Sequence, residues 1–245
     1  WSDDGQRIVA CGDGRGSSFA KVFLWDTGST VGEITGATKR VNSVDFKPCR
    51  PYRIVAGSED FTVSFFEGPP FKFKHTPHKH ANFVNCVRFS PDGARFASVG
   101  SDGKGKIYDG KTGFPVGDIP GGKMGEGGGH AGTVYACSWS PDGTKLLTAG
   151  ADKTCRLWEV PAAAAAAAAE ETEQTTTTTT TTLPKCVKLA TFTFGAPKPG
   201  IEHMQVGCLF VGEKMVSLSL SGDINVLDPD DQNKPKAVLI GHPKP

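Results

Sequence analysis

The sequence predicts an all-β fold, a β-propeller of about five four-stranded antiparallel units. Three observations predict it. Short runs rich in Val, Ile, Phe and Thr alternate with Gly, Pro and Asp turns, and helical periodicity is nowhere sustained. The turn Ser-Pro-Asp-Gly occurs at Ser90–Gly93 and Ser140–Gly143, each time between two such runs. Around both turns a His, a turn Asp and an aromatic-acid pair recur in one order, most clearly from Gly129 to Glu159. A unit of this kind, returning every 40 to 50 residues or so, is a propeller blade of the WD40 type.

The elements follow in order. Trp1-Ser2-Asp3-Asp4-Gly5 aligns with Trp139–Gly143, so the chain is expected to be a fragment that enters at the end of a strand. In the first unit Gln6 to Cys11 reads as a strand, Gly12 to Ser18 as a long turn, Lys21 to Asp26 as a strand ending in Trp25-Asp26, and Gly28 to Ile34 as the closing strand. The second unit offers Val41 to Phe46, Arg53 to Ser58, Thr62 to Glu67 and an outer strand at Phe71–Lys74, with Phe66-Glu67 in place of Trp-Asp. The third carries Val84 to Phe89, Arg95 to Gly100 and Tyr108-Asp109. The fourth holds Val134 to Trp139, Lys145 to Gly150 and a run ending in Trp158-Glu159. The fifth runs from Met204 through Ser221 and Asp228 to Ile240, and Gly241-His242 is expected to open another unit. Blades are thus placed at 1–35, 36–77, 78–128, 129–199 and 200–240 within a single partial propeller of 1–245. Pro161, eight alanines, Glu170–Gln174 and eight threonines interrupt the fourth unit, and 161–182 is expected to be a disordered surface loop.

Aligned apolar residues are expected on both faces of the first strand of each unit. Val41, Val84 and Val134 are assigned to one side, and Val44, Val87 and Cys137, with Phe46, Phe89 and Trp139, to the other. Neither face tolerates water, so blades must stack.

Composition narrows function. A net charge of +1 argues against a broad basic surface for nucleic acid. No apolar run reaches the roughly 20 residues needed to span a bilayer, and no signal peptide opens the chain, so a cytoplasmic location is expected. The seven scattered cysteines contain no Cys-x-x-Cys and read as buried thiols.

His130, Thr148, Asp152 and Trp158 resemble a catalytic set on paper. At these blade positions they read instead as a structural hydrogen-bond chain from turn Asp to His to strand hydroxyl to indole, repeated as Asp102, His80, Ser98 and Tyr108. The second unit keeps only Asp60, with Ala37, Ala56 and Phe66 at the other places. His75-x-x-His78-x-His80 has a spacing open to a metal, but no Cys or carboxylate completes it nearby. The glycine-rich stretches Gly12–Gly16 and Gly121–Gly129 open no helix and lack the phosphate-loop ending, so they read as turns. No enzyme, cofactor, metal or small-molecule substrate is expected. Phe71-Lys72-Phe73-Lys74, with Phe83 beyond it, is the more informative pattern: core packing explains one Phe, and a protein-binding anchor explains the other equally well.

The strings Val22–Gly28, Val41–Asp45, Phe65-Phe66-Glu67-Gly68-Pro69-Pro70-Phe71-Lys72-Phe73-Lys74, Phe83–Gly93 and Ser217–Asn225 resemble the actin-interacting protein 1 family of WD-repeat proteins. The resemblance covers the chain apart from the Ala/Thr insertion. It implies part of the first of two seven-bladed propellers, in a non-enzymatic cytoskeletal protein that binds actin filaments and cofilin and promotes filament disassembly. Carried over by position, it implies partner contacts at Glu59, Phe73 and Phe83. Where that family has a charged loop before the first Trp-Asp, this chain has Gly16-Ser17-Ser18. The competing expectation is a general WD40 scaffold, such as an adaptor of a ubiquitin ligase.

Overall fold

The computed structural model describes residues 1–14, 18–122, 128–161, 183–195, 198–232 and 234–241. The expected disordered loop beyond Pro161, Gly16-Ser17, most of Gly121–Gly129 and His242 lie outside them. The fold is all-β: five antiparallel sheets follow one another along the chain, and the one helical element among the described residues is a single 3-10 turn at Ile201–His203. No helix among them is long and apolar enough to cross a membrane.

The first sheet has three strands, β1 (Arg7–Cys11), β2 (Ala20–Leu24) and β3 (Thr30–Ile34). The other four have four each. The second holds β4 (Val41–Phe46), β5 (Arg53–Ser58), β6 (Thr62–Glu67) and β7 (Lys72–Lys79). The third holds β8 (Val84–Phe89), β9 (Arg95–Gly100), β10 (Gly105–Asp109) and β11 (Pro115–Ile119). The fourth holds β12 (Val134–Trp139), β13 (Lys145–Gly150), β14 (Thr154–Glu159) and β15 (Val187–Thr193). The fifth holds β16 (Gln205–Val211), β17 (Lys214–Ser219), β18 (Ile224–Leu227) and β19 (Ala237–Leu239). Strands pair in chain order within each sheet, the meander of a propeller blade.

The core is divided among the junctions between blades. Val22 and Ile34 of the first blade pack with Ile54 and Phe66 of the second. Val55, Val63 and Phe65 of the second pack with Val84, Val87, Phe96 and Tyr108 of the third. Val99 and Ile107 meet Val134, Trp139, Leu146 and Trp158 at the next junction, and Leu147 and Leu157 meet Met215 and Leu227 at the last. Stacked rings reinforce the second junction, with Phe65 of the second blade 5.9 Å from Phe96 of the third, which in turn lies 4.5 Å from Tyr108 and nearly parallel to it.

One expectation about these faces fails. Val84 and Val87 lie on the same side, both touching the space beside Gly57, and Val134, Cys137 and Trp139 share a single cluster. The cause is a bulge repeated in β4, β8, β12 and β16, between Val84 and Cys86 in β8 and between Val134 and Ala136 in β12. The extra residue breaks the two-residue alternation, so the first apolar residue joins the others.

A second difference concerns the first blade. The strand ends at Leu24, and Trp25-Asp26 lies in the following turn with Trp25 exposed. Gly28 N donates to Leu24 O as Gly113 N donates to Asp109 O, and both glycines have positive φ, +67° and +83°. The left-handed glycine sets the turn, and in the first blade the Trp stands two residues closer to it, so Phe23 and not Trp25 takes the strand position of Tyr108.

The innermost strands β1, β4, β8, β12 and β16 stand side by side, and β4, β8, β12 and β16 line a central cavity of about 610 Å³. They are not paired with one another as a sheet; side chains bridge them. Asn42 and Asn85 Nδ2 donate to Val84 O and Val134 O, Phe89 N donates to Asp45 Oδ2 at 2.7 Å, and Trp139 Nε1 donates to Arg88 O at 3.0 Å. These bonds give inner-edge groups of β4, β8 and β12 partners on the neighbouring blade.

Candidate partner-binding surface

The hydrogen-bond chains fix the face on which the candidate surface stands. In the fourth blade Trp158 Nε1 donates to Thr148 Oγ1 at 2.9 Å, Thr148 Oγ1 is 2.7 Å from His130 Nε2, and His130 Nδ1 is 2.9 Å from Asp152 Oδ1. The Asp152 carboxylate only accepts, so His130 Nδ1–H points to it, and Nε2 is left to accept the Thr148 proton at 2.7 Å, a shorter path than the 3.4 Å to Arg156 O. His130 is then neutral, in keeping with burial holding its pKa below the ordinary range. Burial works to raise the Asp152 carboxyl, but hydrogen bonds from His130, Thr154 and the Ala131 N–H outweigh it and hold it well below the carboxylate range. Thr148 and Trp158 are wholly buried, leaving no space for a substrate beside the imidazole.

Gly150 is required here. A Cβ on it would lie 2.7 Å from His130 Nδ1 and 3.0 Å from Asp152 Oδ1. The third blade repeats the chain: His80 Nδ1 is 3.0 Å from Asp102 Oδ2, His80 Nε2 is 2.8 Å from Ser98 Oγ, and Ser98 Oγ is 3.0 Å from the Tyr108 hydroxyl.

The second blade departs from this pattern. Asp60 accepts from the Thr38 and Thr62 N–H groups at 2.7 and 3.0 Å, so its turn survives, while Ala37, Ala56 and buried Phe66 leave no polar chain behind it. The same turn presents Glu59 and Phe61. Glu59 N donates to Arg40 O, and its carboxylate stands 4.0 Å from the exposed Arg40 guanidinium, a loose pair that leaves the acid open to a partner. Phe61 carries φ +76°, and its ring lies 5.7 Å from Phe83, itself 39% exposed. Phe83 is anchored through its carbonyl, which accepts from Ser101 N at 2.8 Å.

Glu59 and Phe83 thus stand at one edge, joined by Phe61. Phe73 stands elsewhere: it faces Phe66 edge-on at 5.8 Å from β7, and its ring covers Gly36 between the first and second blades. It is 44% exposed, between the exposed Lys72 and Lys74, with Lys74 Nζ 3.5 Å from Glu67. Phe73 is therefore both packed and available, and the other Phe of the pattern, Phe71 in the turn before β7, is the buried one. Sequence reasoning missed Phe61. Its signal was the turn position after Asp60, where the other blades place Gly103 and Lys153, also at positive φ.

Of the three histidines, His78 and His80 stay together, their rings 5.5 Å apart and edge-on. His75 stacks on Phe114 at 4.9 Å, His80 belongs to the Asp102 chain, and no group of three His, Cys, Asp or Glu that could hold a metal occurs among the described residues.

The family model for the WD domain, G-beta repeat, matches residues 28–67, 71–109 and 123–159. WD repeat-containing protein 1 of Gallus gallus is 47% identical over 244 residues, which is 100% of this chain and 35% of the relative. The Xenopus tropicalis protein of the same name is 47% identical over the same extent. Actin-interacting protein 1 of Drosophila melanogaster is 44% identical over 245 residues, again 100% of this chain and 35% of the relative. The chain spans about a third of the length of the curated relatives it matches.

Proposed function

From the premise that this chain carries WD40 repeats and is similar along its whole length to WD repeat-containing protein 1 and actin-interacting protein 1, we propose that it is an actin-associated binding module. In this reading it engages cofilin-bearing filaments, promotes their disassembly and works at the cytoskeleton without catalysing a reaction. The observation that carries the reading is the edge where the second blade meets the third, where Glu59, Phe61 and Phe83 combine an available carboxylate with two touching rings. Aromatic anchors beside a charge on a rigid sheet are what a protein interface uses, and a filament repeats its surface, so weak contacts multiply. Phe73, held over Gly36 with its flanking lysines, supplies a second anchor on the adjoining outer strand.

Co-sedimentation with actin filaments, with and without cofilin, tests the reading. The chain is expected to pellet with filaments, more so with cofilin, and Phe73→Ala combined with Phe83→Ala is expected to weaken this about 10-fold or more. Unchanged pelleting of the double variant would remove these anchors, and no pelleting of the parent chain under any condition would overturn the reading itself.

A further inference from the structure

Two thiols meet across the junction of the third and fourth blades. Cys137 Sγ lies 3.8 Å from Cys86 Sγ, both belong to the core of that junction, and both line the central cavity. This meeting is particular to one junction. By register, the places of Cys86 on the other inner strands are taken by Ser43, Ala136 and Gly207, and those of Cys137 by Val44, Val87 and Cys208.

The surroundings favour a reactive sulfur at Cys86. The hydrogen bond donated by Cys137 holds the Cys86 thiol below its ordinary range despite burial, and the Arg88 guanidinium adds to this. Arg88 follows two residues on in the same strand, lines the same cavity, and donates through Nη1 to Ser43 Oγ at 2.9 Å and Val87 O at 2.7 Å. The carboxylate facing this group is Asp45 on the neighbouring inner strand, which holds the Phe89 N–H. Elsewhere burial pushes the Cys155 and Cys186 thiols up to about 12, so they stay protonated and inert.

We propose that Cys86 and Cys137 form a redox-active dithiol, reached by peroxide through the central cavity and converted to a disulfide that staples the third blade to the fourth. The Cys86 thiolate attacks one peroxide oxygen: an S–O bond forms, the O–O bond breaks, and the departing hydroxide takes a proton to become water. Cys137 then gives up its proton and attacks Cys86 Sγ; the S–S bond forms, the S–O bond breaks, and a second water leaves. Two thiols have lost two electrons and two protons, and one peroxide has become two waters. The sulfurs must close from 3.8 Å to a bond of about 2 Å, a movement within reach of side-chain rotation. A thiol reductant reverses the bond by exchange.

The test treats the chain with hydrogen peroxide, blocks remaining thiols with an alkylating reagent without reduction, and maps peptides by mass spectrometry. The expected result is a linked Cys86–Cys137 peptide, two hydrogens lighter than its parts, that disappears on treatment with dithiothreitol. In Cys137→Ser, a sulfenic acid at Cys86 is expected to be trapped by dimedone at a level about 10-fold above that in the parent chain. Both cysteines alkylated after peroxide, linkage to other cysteines, or equal dimedone labelling of parent and variant would each overturn the proposal. Mapping of the parent chain decides it even if the variant fails to fold.

Discussion

Phe61 adopts φ +76°, and its ring is tilted 43° against that of Phe83 at 5.7 Å. The turn demands a left-handed residue at this place, since Gly103 and Lys153 occupy it in the next two blades at +72° and +62°. A side chain there costs about 1–2 kcal/mol, and glycine avoids the cost. A bulky ring kept at such a place is spent on what it touches, which is Phe83 and the surface beside Glu59.

Phe61→Gly is therefore expected to change stability by no more than about 1 kcal/mol, where a buried Phe→Ala costs about 3–5 kcal/mol. Filament binding is expected to fall all the same. Urea unfolding and co-sedimentation of one variant check both; a loss of 3 kcal/mol or so would show that the ring serves the core.

Asp152→Ala is expected to destabilise the chain by about 3 kcal/mol, because it leaves His130 Nδ1–H, Ala131 N–H and Arg156 short of an acceptor in a buried place. The measurement is the urea midpoint. An unchanged midpoint would sink the structural role of His130, Thr148, Asp152 and Trp158.

Stability is expected to fall as pH drops from 7. His130 is held neutral, its folded pKa below the ordinary value of about 6.5, so its contribution is full above that value and declines as the unfolded chain takes up the proton. Asp152 is depressed too, so its contribution is full above about pH 4 and is lost only as pH falls toward its folded value. Urea midpoints at pH 8, 6 and 5 check the first step. A rise between pH 7 and 5 would mean that His130 is charged in the fold and paired with Asp152.

Gly150→Ala and Gly132→Ala form a matched pair. A Cβ at Gly150 collides with His130 and Asp152, whereas one at Gly132 meets Ala151 at an ordinary 3.6 Å. The first is expected to cost about 2 kcal/mol or more and the second less than about 0.5 kcal/mol, read from thermal midpoints.

Much of this architecture was legible because its turns are chemically narrow. Asp152 and His130, like Asp102 and His80, announce themselves by spacing, since only a fixed number of residues lets a turn carboxylate reach back to the imidazole. The bulge that unites Val84 with Val87 was hidden, because an extra residue leaves no mark in a run of apolar side chains. Trp25 misleads for a related reason: the aromatic looks like the marker, whereas Gly28 determines where the strand ends. Glu59 came from resemblance and Phe83 from the aromatic pattern and resemblance together, whereas Phe61 between them was invisible until its backbone angle and ring partner were known.

Every core cluster is shared by two consecutive blades, so cooperativity here passes from neighbour to neighbour along the chain. A lesion in Phe65 or Tyr108 loosens one hinge of that array directly and the others only through it. Unfolding should accordingly begin at a junction and spread in both directions, like a zip opened from the middle, and no blade should melt alone.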